Sequence, residues 1–177
     1  MAVFQTIRNL FLPTEAAEPE IIVSASLTEY KISPLTEKHL QEVLRLNLRC
    51  FKKGENYTKH TFSYLLNDPK VLSYRTITPT EQMVGFVFVM IQQNGTGHLT
   101  TIGVAPEHRR RGIARKMLVH IEKALQRRGI STITLEVRVS NITAQSLYCS
   151  LNYSIVQRLK NYYNNGEDAF LMVKSLY

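Results

Sequence analysis

The sequence predicts a single α/β domain built on a mixed sheet. Apolar periodicity alternates between strand-like and helix-like segments in the order βααβββαβαββ, which interleaves both element types along the whole domain. A chain of 177 residues with no repeat and no low-complexity linker has the size of one domain. Its 44% apolar and 20% charged residues are those of a globular protein with a sizeable core.

Each element has its own signal. Residues 1–28 lack sustained periodicity and are interrupted by Pro13, Glu15, Glu18, Pro19 and Glu20, so they read as an N-terminal extension to a domain spanning 29–177. Tyr30 and Ile32 alternate with polar neighbours as in a strand. Thr36 then caps a helix whose stripe is Leu40, Val43, Leu44, Leu48 and Phe51. "FKKGENY" is a loop, and Thr58 caps a second helix carrying Phe62, Leu65 and Leu66. "VLSYRTIT" and "VGFVFVMIQQ" are strands joined by "PTEQ", and "NGTG" is a hairpin turn into the strand "HLTTIGVA". Ile113, Ala114, Met117, Leu118, Ile121, Ala124 and Leu125 form the stripe of the clearest helix, which Gly129 stops. In "STITLEVRVS", Leu135, Val137 and Val139 share one face while Thr134, Glu136 and Arg138 share the other. "NITAQSLYCSLN" is a short helix with Ala144, Leu147 and Leu151 inward, and the tail forms two strands around "NNGE".

A formal charge of +8 favours polyanionic partners: nucleotides, nucleic acid, the ribosome or anionic membrane surfaces. Cys50 and Cys149 have neither CxxC nor Cys/His spacing, which argues against a disulfide scaffold or a metal site and for buried, reduced thiols. No apolar run reaches the roughly 18–20 residues needed to span a bilayer. Gln5, Arg8 and Asn9 interrupt the apolar start, so no signal peptide is read and a cytoplasmic location is expected.

The stretch "APEHRRRGIAR" at 105–115 carries the strongest functional signal. A strand ends at Val104, Pro106 turns the chain, and a helix begins near Gly112, where free first-turn N–H groups can converge on a pyrophosphate. Gly112 allows close approach and Ala114 keeps the first turn small. Arg109, Arg110 and Arg111 oppose the helix dipole unless an anion is bound, which a highly phosphorylated ligand resolves. The competing reading is a solvated polyanion patch; no aromatic residues interleave with these arginines, so RNA stacking ranks lower.

"VAPEHRRRGIARKML" resembles the acyl-CoA motif Arg/Gln-x-x-Gly-x-Gly/Ala of the GNAT family of N-acetyltransferases, here Arg109-x-x-Gly112-x-Ala114. "LEVRVSNITAQSLYCSLNY" resembles the family's LxVxxxNxxAxxLYxxxGF block, with Asn152 where glycine is common. The similarity covers about residues 29–175. It implies the GNAT fold, a mixed, mostly antiparallel sheet of about six to seven strands flanked by about four helices. It also implies acetyl-CoA as cosubstrate and no metal, with the pyrophosphate at Arg109 to Ala114, Ile113 included. The pantetheine would run beside Ile102 and Val104, where the family's strand is bulged and splayed from its neighbour, and Asn141 would be an N-cap that also meets CoA.

Amine acetylation needs a neutral amine, donors for the thioester oxygen and an acid for the leaving thiolate. Tyr148 matches the family's tyrosine near the CoA sulfur, the general acid, or is a partly buried helix tyrosine. Glu136 is either an exposed ion-pair partner of Arg138 or a base acting directly or through water. His98, at a position that resembles a catalytic tyrosine in some N-terminal acetyltransferases, either holds that water or is a surface histidine. The glutamate of "EVR" and the pair Tyr162–Tyr163 in "LKNYY" resemble the protein N-terminal acetyltransferase branch, nearest the ribosomal-protein alanine enzymes. There the tyrosines lie over the first residues of the acceptor, and the facing loop supplies Phe51 and Tyr57; Lys52 and Lys53 would favour acidic side chains near its N-terminus. The expected activity is therefore acetyl transfer to a protein N-terminus, a ribosomal protein among the candidates. Lysine or polyamine acetylation, and a non-catalytic CoA-sensing or RNA-docking module, are the alternatives.

Overall fold

The computed structural model describes residues 29–51 and 57–177. The expected extension, 1–28, and the loop residues Lys52 and Lys53 lie outside the described residues. Among those described, seven strands form one sheet: β1 (Lys31–Pro34), β2 (Val71–Ile77), β3 (Met83–Ile91), β4 (Gly97–Val104), β5 (Thr132–Arg138), β6 (Ser154–Leu159) and β7 (Ala169–Ser175). Their spatial order is β1-β2-β3-β4-β5-β7-β6. All neighbours are antiparallel except β4 and β5. Four α-helices complete the domain: α1 (Leu40–Cys50), α2 (Lys59–Asn67), α3 (Ile113–Gln126) and α4 (Ile142–Cys149). The element order is the one expected from periodicity.

β3 is the centre of the core, and its run MVGFVFVMI is apolar on both faces because both faces are covered. Phe86 and Phe88 meet Phe62 of α2, and Phe86 also meets Phe51 at the end of α1. On the other face, Gly85 lies against Ile113 and Met117 of α3. The stripe of α3 is buried as its spacing requires, with Met117, Leu118, Ile121 and Leu125 fully enclosed.

Two details of β4 shape the groove. Thr101 pairs with Phe88 and Leu99 with Val89, so Thr100 is an extra residue that bulges the strand. Pairing with β5 is confined to Gly97↔Ile133 and His98↔Thr134. Beyond His98 the two strands splay apart, as the family resemblance implied, and Ile102 and Val104 lie half-buried on the free side.

Several local expectations need correction. Leu48 is not in the buried stripe of α1 but 63% exposed. Leu46 and Asn47 face the core instead, and Asn47 tolerates burial because its side-chain amide donates to the Tyr57 carbonyl at 3.3 Å. In α4 the most buried residue is Tyr148, with Ala144 and Leu147 half-buried and Leu151 buried just beyond the helix. Of the two thiols, Cys50 is half-buried but Cys149 is exposed; both are free. Asn152 has φ 67°, the left-handed geometry that glycine would otherwise supply there.

A buried polar cluster had no local signal in the sequence. Glu122 of α3 accepts from Tyr153 Oη at 2.9 Å and pairs with Lys174 Nζ of β7 at 2.6 Å. It ties α3 to the far side of the sheet. Among the described residues, no helix is long and apolar enough to cross a membrane.

Candidate active site

The groove opened by the β4–β5 splay has a carboxylate at its apex. Glu136 alternates with the buried Leu135 and Val137 and so projects from the opposite face of β5. His98, on β4 at the last paired position, brings Nε2 to 2.7 Å from Glu136 Oε2. Burial opposes ionisation of Glu136, but the hydrogen bond and charge of His98, with a smaller contribution from the nearby Tyr162 hydroxyl, outweigh it and hold the carboxyl below its ordinary pKa. An ionised carboxylate only accepts, so His98 Nε2 is the donor. The His98 and Glu136 side chains are 24% and 18% exposed, so the pair is mostly withdrawn from solvent.

Arg138 does not pair with Glu136, although both project from the same face of β5. Its guanidinium donates to Glu167 Oε2 at 2.7 Å and lies 3.6 Å from the centre of the Tyr163 ring. That ion pair leaves Glu136 to His98 and Tyr162.

Three tyrosines surround the carboxylate. Tyr162, 47% exposed, reaches it from the β6–β7 turn, and burial followed by the Glu136 charge raises its hydroxyl pKa. Tyr57 donates to the Thr100 carbonyl, at the bulge, at 3.1 Å, and burial followed by the charge of Glu136 raises its pKa as well. Tyr163 stacks edge-on against Tyr162 at 5.1 Å, and burial pushes its hydroxyl up to about 12. Phe51, by contrast, packs against Phe86 as a wall of the core side of the groove.

Tyr148 is the buried residue of α4 and lies close enough to Tyr163 to feel its charge. Burial, reinforced by Tyr163, drives its pKa far above the ordinary phenol value, so it stays protonated at neutral pH. Its ring lies 5.6 Å from that of Tyr153. Its hydroxyl makes no hydrogen bond among the described residues. Asn141 caps the same helix, its Oδ1 accepting from the Ala144 N–H at 3.1 Å.

Residues 110–115 lead from the turn after β4 into the first turn of α3. Arg110 and Gly112 have φ 63° and 75°, with a residue of negative φ between them. This alternation turns successive N–H groups toward one concavity. The N–H groups of residues 110–115 donate to no acceptor among the described residues. A Cβ added at Gly112 would meet nothing within 4 Å, so the positive φ, not crowding, selects glycine. The three arginines differ in what they do. Arg109 turns inward, donating to the carbonyls of Val104 and Cys50 at 3.1 and 3.2 Å. Arg111 donates to the Tyr30 hydroxyl at 3.0 Å, and Arg115 holds Ser150. Glu107 anchors the preceding turn to Arg49 of α1 at 2.6 Å. The cradle thus offers backbone amides first, with the exposed Arg110 beside them.

The Acetyltransferase (GNAT) family profile matches residues 40–153, which contain the cradle, Glu136 and Tyr148. The chain belongs to the GNAT acetyltransferase family. An N-alpha-acetyltransferase of Saccharolobus solfataricus is 46% identical over 81 residues, covering 45% of this chain and 48% of the relative; the match thus spans about half of that protein's length. The Caenorhabditis elegans N-alpha-acetyltransferase daf-31 is 33% identical over 144 residues, 77% of this chain and 78% of its own. The ribosomal-protein-S18-alanine N-acetyltransferase of Escherichia coli superposes with a TM-score of 0.75 at 28% identity, covering 84% of this chain and 94% of that one. The NatC complex bound to Gag peptide and CoA gives 0.73 at 25% identity, covering 84% and 99%.

The chain thus carries unpaired amides at 110–115, a β4 edge along Ile102 and Val104 that β5 does not pair, and a buried, protonated Tyr148 on α4. Among the described residues no cluster of three histidine, cysteine or acidic side chains forms a metal site. One participant had no motif in the sequence: Glu167 enters the site through tertiary pairing, and only the "NNGE" turn hinted at it, whereas the bulge at Thr100 is the one the resemblance implied for this strand.

Proposed function

We propose that this protein is an acetyl-CoA-dependent N-acetyltransferase whose acceptor is the α-amine of a protein N-terminus, with direct attack in a ternary complex. The observation that carries the reading is the carboxylate of Glu136 in the splay, hydrogen-bonded by His98 and close enough to Tyr162 to feel its hydroxyl, with Tyr163 stacked beside that ring. A small amine needs a charge to hold it. A peptide also needs a lip over its backbone, which Tyr162 and Tyr163 supply.

In this mechanism Glu136, kept ionised, holds the acceptor ammonium and takes its proton directly or through a water that His98 orients. The freed nitrogen bonds to the acetyl carbon as the carbon–sulfur bond breaks. Tyr148 gives its proton to the departing sulfur and is restored by the second proton, which the new amide nitrogen sheds as it becomes neutral, while Glu136 returns the first to solvent. The amides of residues 110–115, with Arg110, hold the pyrophosphate, and the backbone edge beside Ile102 and Val104 receives the pantetheine arm. Positioning of an already activated thioester is the protein's main contribution. Names carried by the relatives, including the ribosomal-protein enzyme, support a nascent or ribosomal protein N-terminus as acceptor, and the +8 charge suits such surroundings.

The test compares peptides with free and blocked N-termini, spermidine, and an N-blocked lysine peptide as acceptors. Transfer to free N-termini at least tenfold faster than to the others is expected. Transfer to spermidine or lysine alone would overturn the reading.

A further inference from the structure

The ion pair that draws Arg138 away from Glu136 also connects three parts of the groove. Glu167 lies in the β6–β7 turn and uses both carboxylate oxygens. Oε2 accepts from Arg138 Nη1 at 2.7 Å, and Oε1 from the backbone N–H of Ser140 at 3.0 Å. Arg138 ends β5, the strand that carries Glu136. Ser140 precedes Asn141, the cap of the helix that carries Tyr148. Arg138 also donates to Asn165 Oδ1 at 3.2 Å and backs the Tyr163 ring. One carboxylate therefore joins the base strand, the donor-side helix and the tyrosine lip.

Among the described residues, most other hydrogen bonds of the lip stay within the turn or run to β6. The bonds Tyr163 N–H to Glu167 O (3.0 Å) and Gly166 N–H to Tyr163 O (2.8 Å) are internal to the turn. Asp168 binds Arg158 and the Asn161 N–H, both on the β6 side. Tyr162 is largely solvent-facing, so apolar burial does not anchor it. Toward the groove, the turn is tied by the Val139 N–H to Asp168 O bond at 3.2 Å, by Arg138 and by Glu167. The side chains of Arg138 and Glu167 are 16% and 24% exposed, so their charge-assisted bonds are partly shielded from salt.

We propose that Glu167 is a positioning residue for acceptor binding: its latch onto Arg138 and Ser140 holds Tyr162 and Tyr163 over the acceptor and makes their placement depend on the cap of the donor-side helix. The proposal deepens the reading above and rests on it for the identity of the acceptor. A latch at the lip acts on the acceptor and leaves the pyrophosphate cradle untouched. Its loss therefore raises the acceptor KM selectively, whereas general unfolding would lower activity toward both substrates together.

The experiment measures initial rates of the full-length protein and of Glu167→Ala and Glu167→Gln, with amide hydrogen exchange of residues 161–168 with and without acetyl-CoA. The acceptor is the best one from the screen above. Glu167→Ala is expected to raise the acceptor KM at least tenfold, leave the acetyl-CoA KM within twofold and accelerate exchange in the lip. Glu167→Gln, which keeps an oxygen for Ser140, should fall between; it carries the test if the alanine variant does not fold. An acceptor KM within twofold of wild type in a folded variant, or equal rises for both substrates, overturns the latch. If wild type acetylates spermidine or lysine and no free N-terminus, the N-terminal reading fails. The latch is then judged by the same comparison with that amine and by lip exchange.

Discussion

Replacing Glu136 with glutamine separates chemistry from architecture. The substitution keeps the length and an acceptor oxygen but removes the charge that His98 and Tyr162 now meet. A hydrogen bond to a charged group contributes about 1.5–3 kcal/mol and a neutral one about 0.5–1.5, so the His98 bond loses roughly 1–1.5 kcal/mol, with a smaller loss at the Tyr162 hydroxyl. Glutamine recovers much of this, because the buried charge no longer has to be desolvated. The net change in stability is therefore expected within about 1–2 kcal/mol. Loss of proton transfer costs far more, on the order of 10²–10⁴ in kcat or about 2.7–5.5 kcal/mol. The assay follows free CoA release from acetyl-CoA and a free N-terminal peptide, with acetyl-CoA binding measured by calorimetry and Tm by circular dichroism.

Acidification adds a signed control. The Glu136 pKa is depressed in the folded protein, so its contribution is present above the ordinary carboxylate range and lost as pH falls through the depressed value. Any advantage of wild type over Glu136→Gln in Tm should shrink below about pH 4. A kcat within threefold of wild type would refute the base assignment. Loss of acetyl-CoA binding in parallel with kcat would refute the separation of donor and acceptor sites.

Other perturbations test the remaining parts. Tyr148→Phe should lower kcat on the order of a hundredfold while Tm and acetyl-CoA affinity stay near wild type, since its hydroxyl carries no hydrogen bond among the described residues; unchanged turnover would remove it as the acid. Gly112→Ala forces a Cβ into φ 75°, costing about 1–2 kcal/mol of stability, and should weaken acetyl-CoA binding about tenfold in calorimetry. Lys174→Met strands the buried carboxylate of Glu122, and a loss of about 3–5 kcal/mol is expected in urea unfolding, against a smaller loss when Glu122→Gln is added. Gly103→Ala would place a Cβ 2.7 Å from the Phe86 ring and 3.1 Å from Cys50 Sγ, overpacking the bulged strand by about 1–3 kcal/mol and lowering Tm.

Much of the fold was legible because its signals are local. The stripe of α3, the continuous apolar run of β3 and the turn residues at "NGTG" each depend on neighbours within a few positions. Gly112 and Asn152 were legible for the same reason, since left-handed geometry restricts residue type at the position itself. Leu48 misled because its i+4 spacing from Leu44 continues one side of the stripe. Whether that side is covered depends on Tyr57, whose carbonyl draws Asn47 inward. For Arg138, proximity along the strand suggested Glu136, while its partner Glu167 is brought there only by the β5–β7 pairing.

The sequence by itself determined the strand–turn–helix geometry proposed to hold a phosphorylated donor and which residue types are available for the chemistry. The free amides, the glycine and the capping asparagine all lie within single strand–turn–helix segments. Tertiary structure decided which of those side chains meet. Glu136 finds His98 because β4 and β5 stay paired up to that residue and then part. Tyr162 finds Glu136 because β7 inserts between β5 and β6 and folds the intervening turn back over the groove. Backbone hydrogen bonds between strands distant in sequence set both arrangements, and no local pattern encodes them.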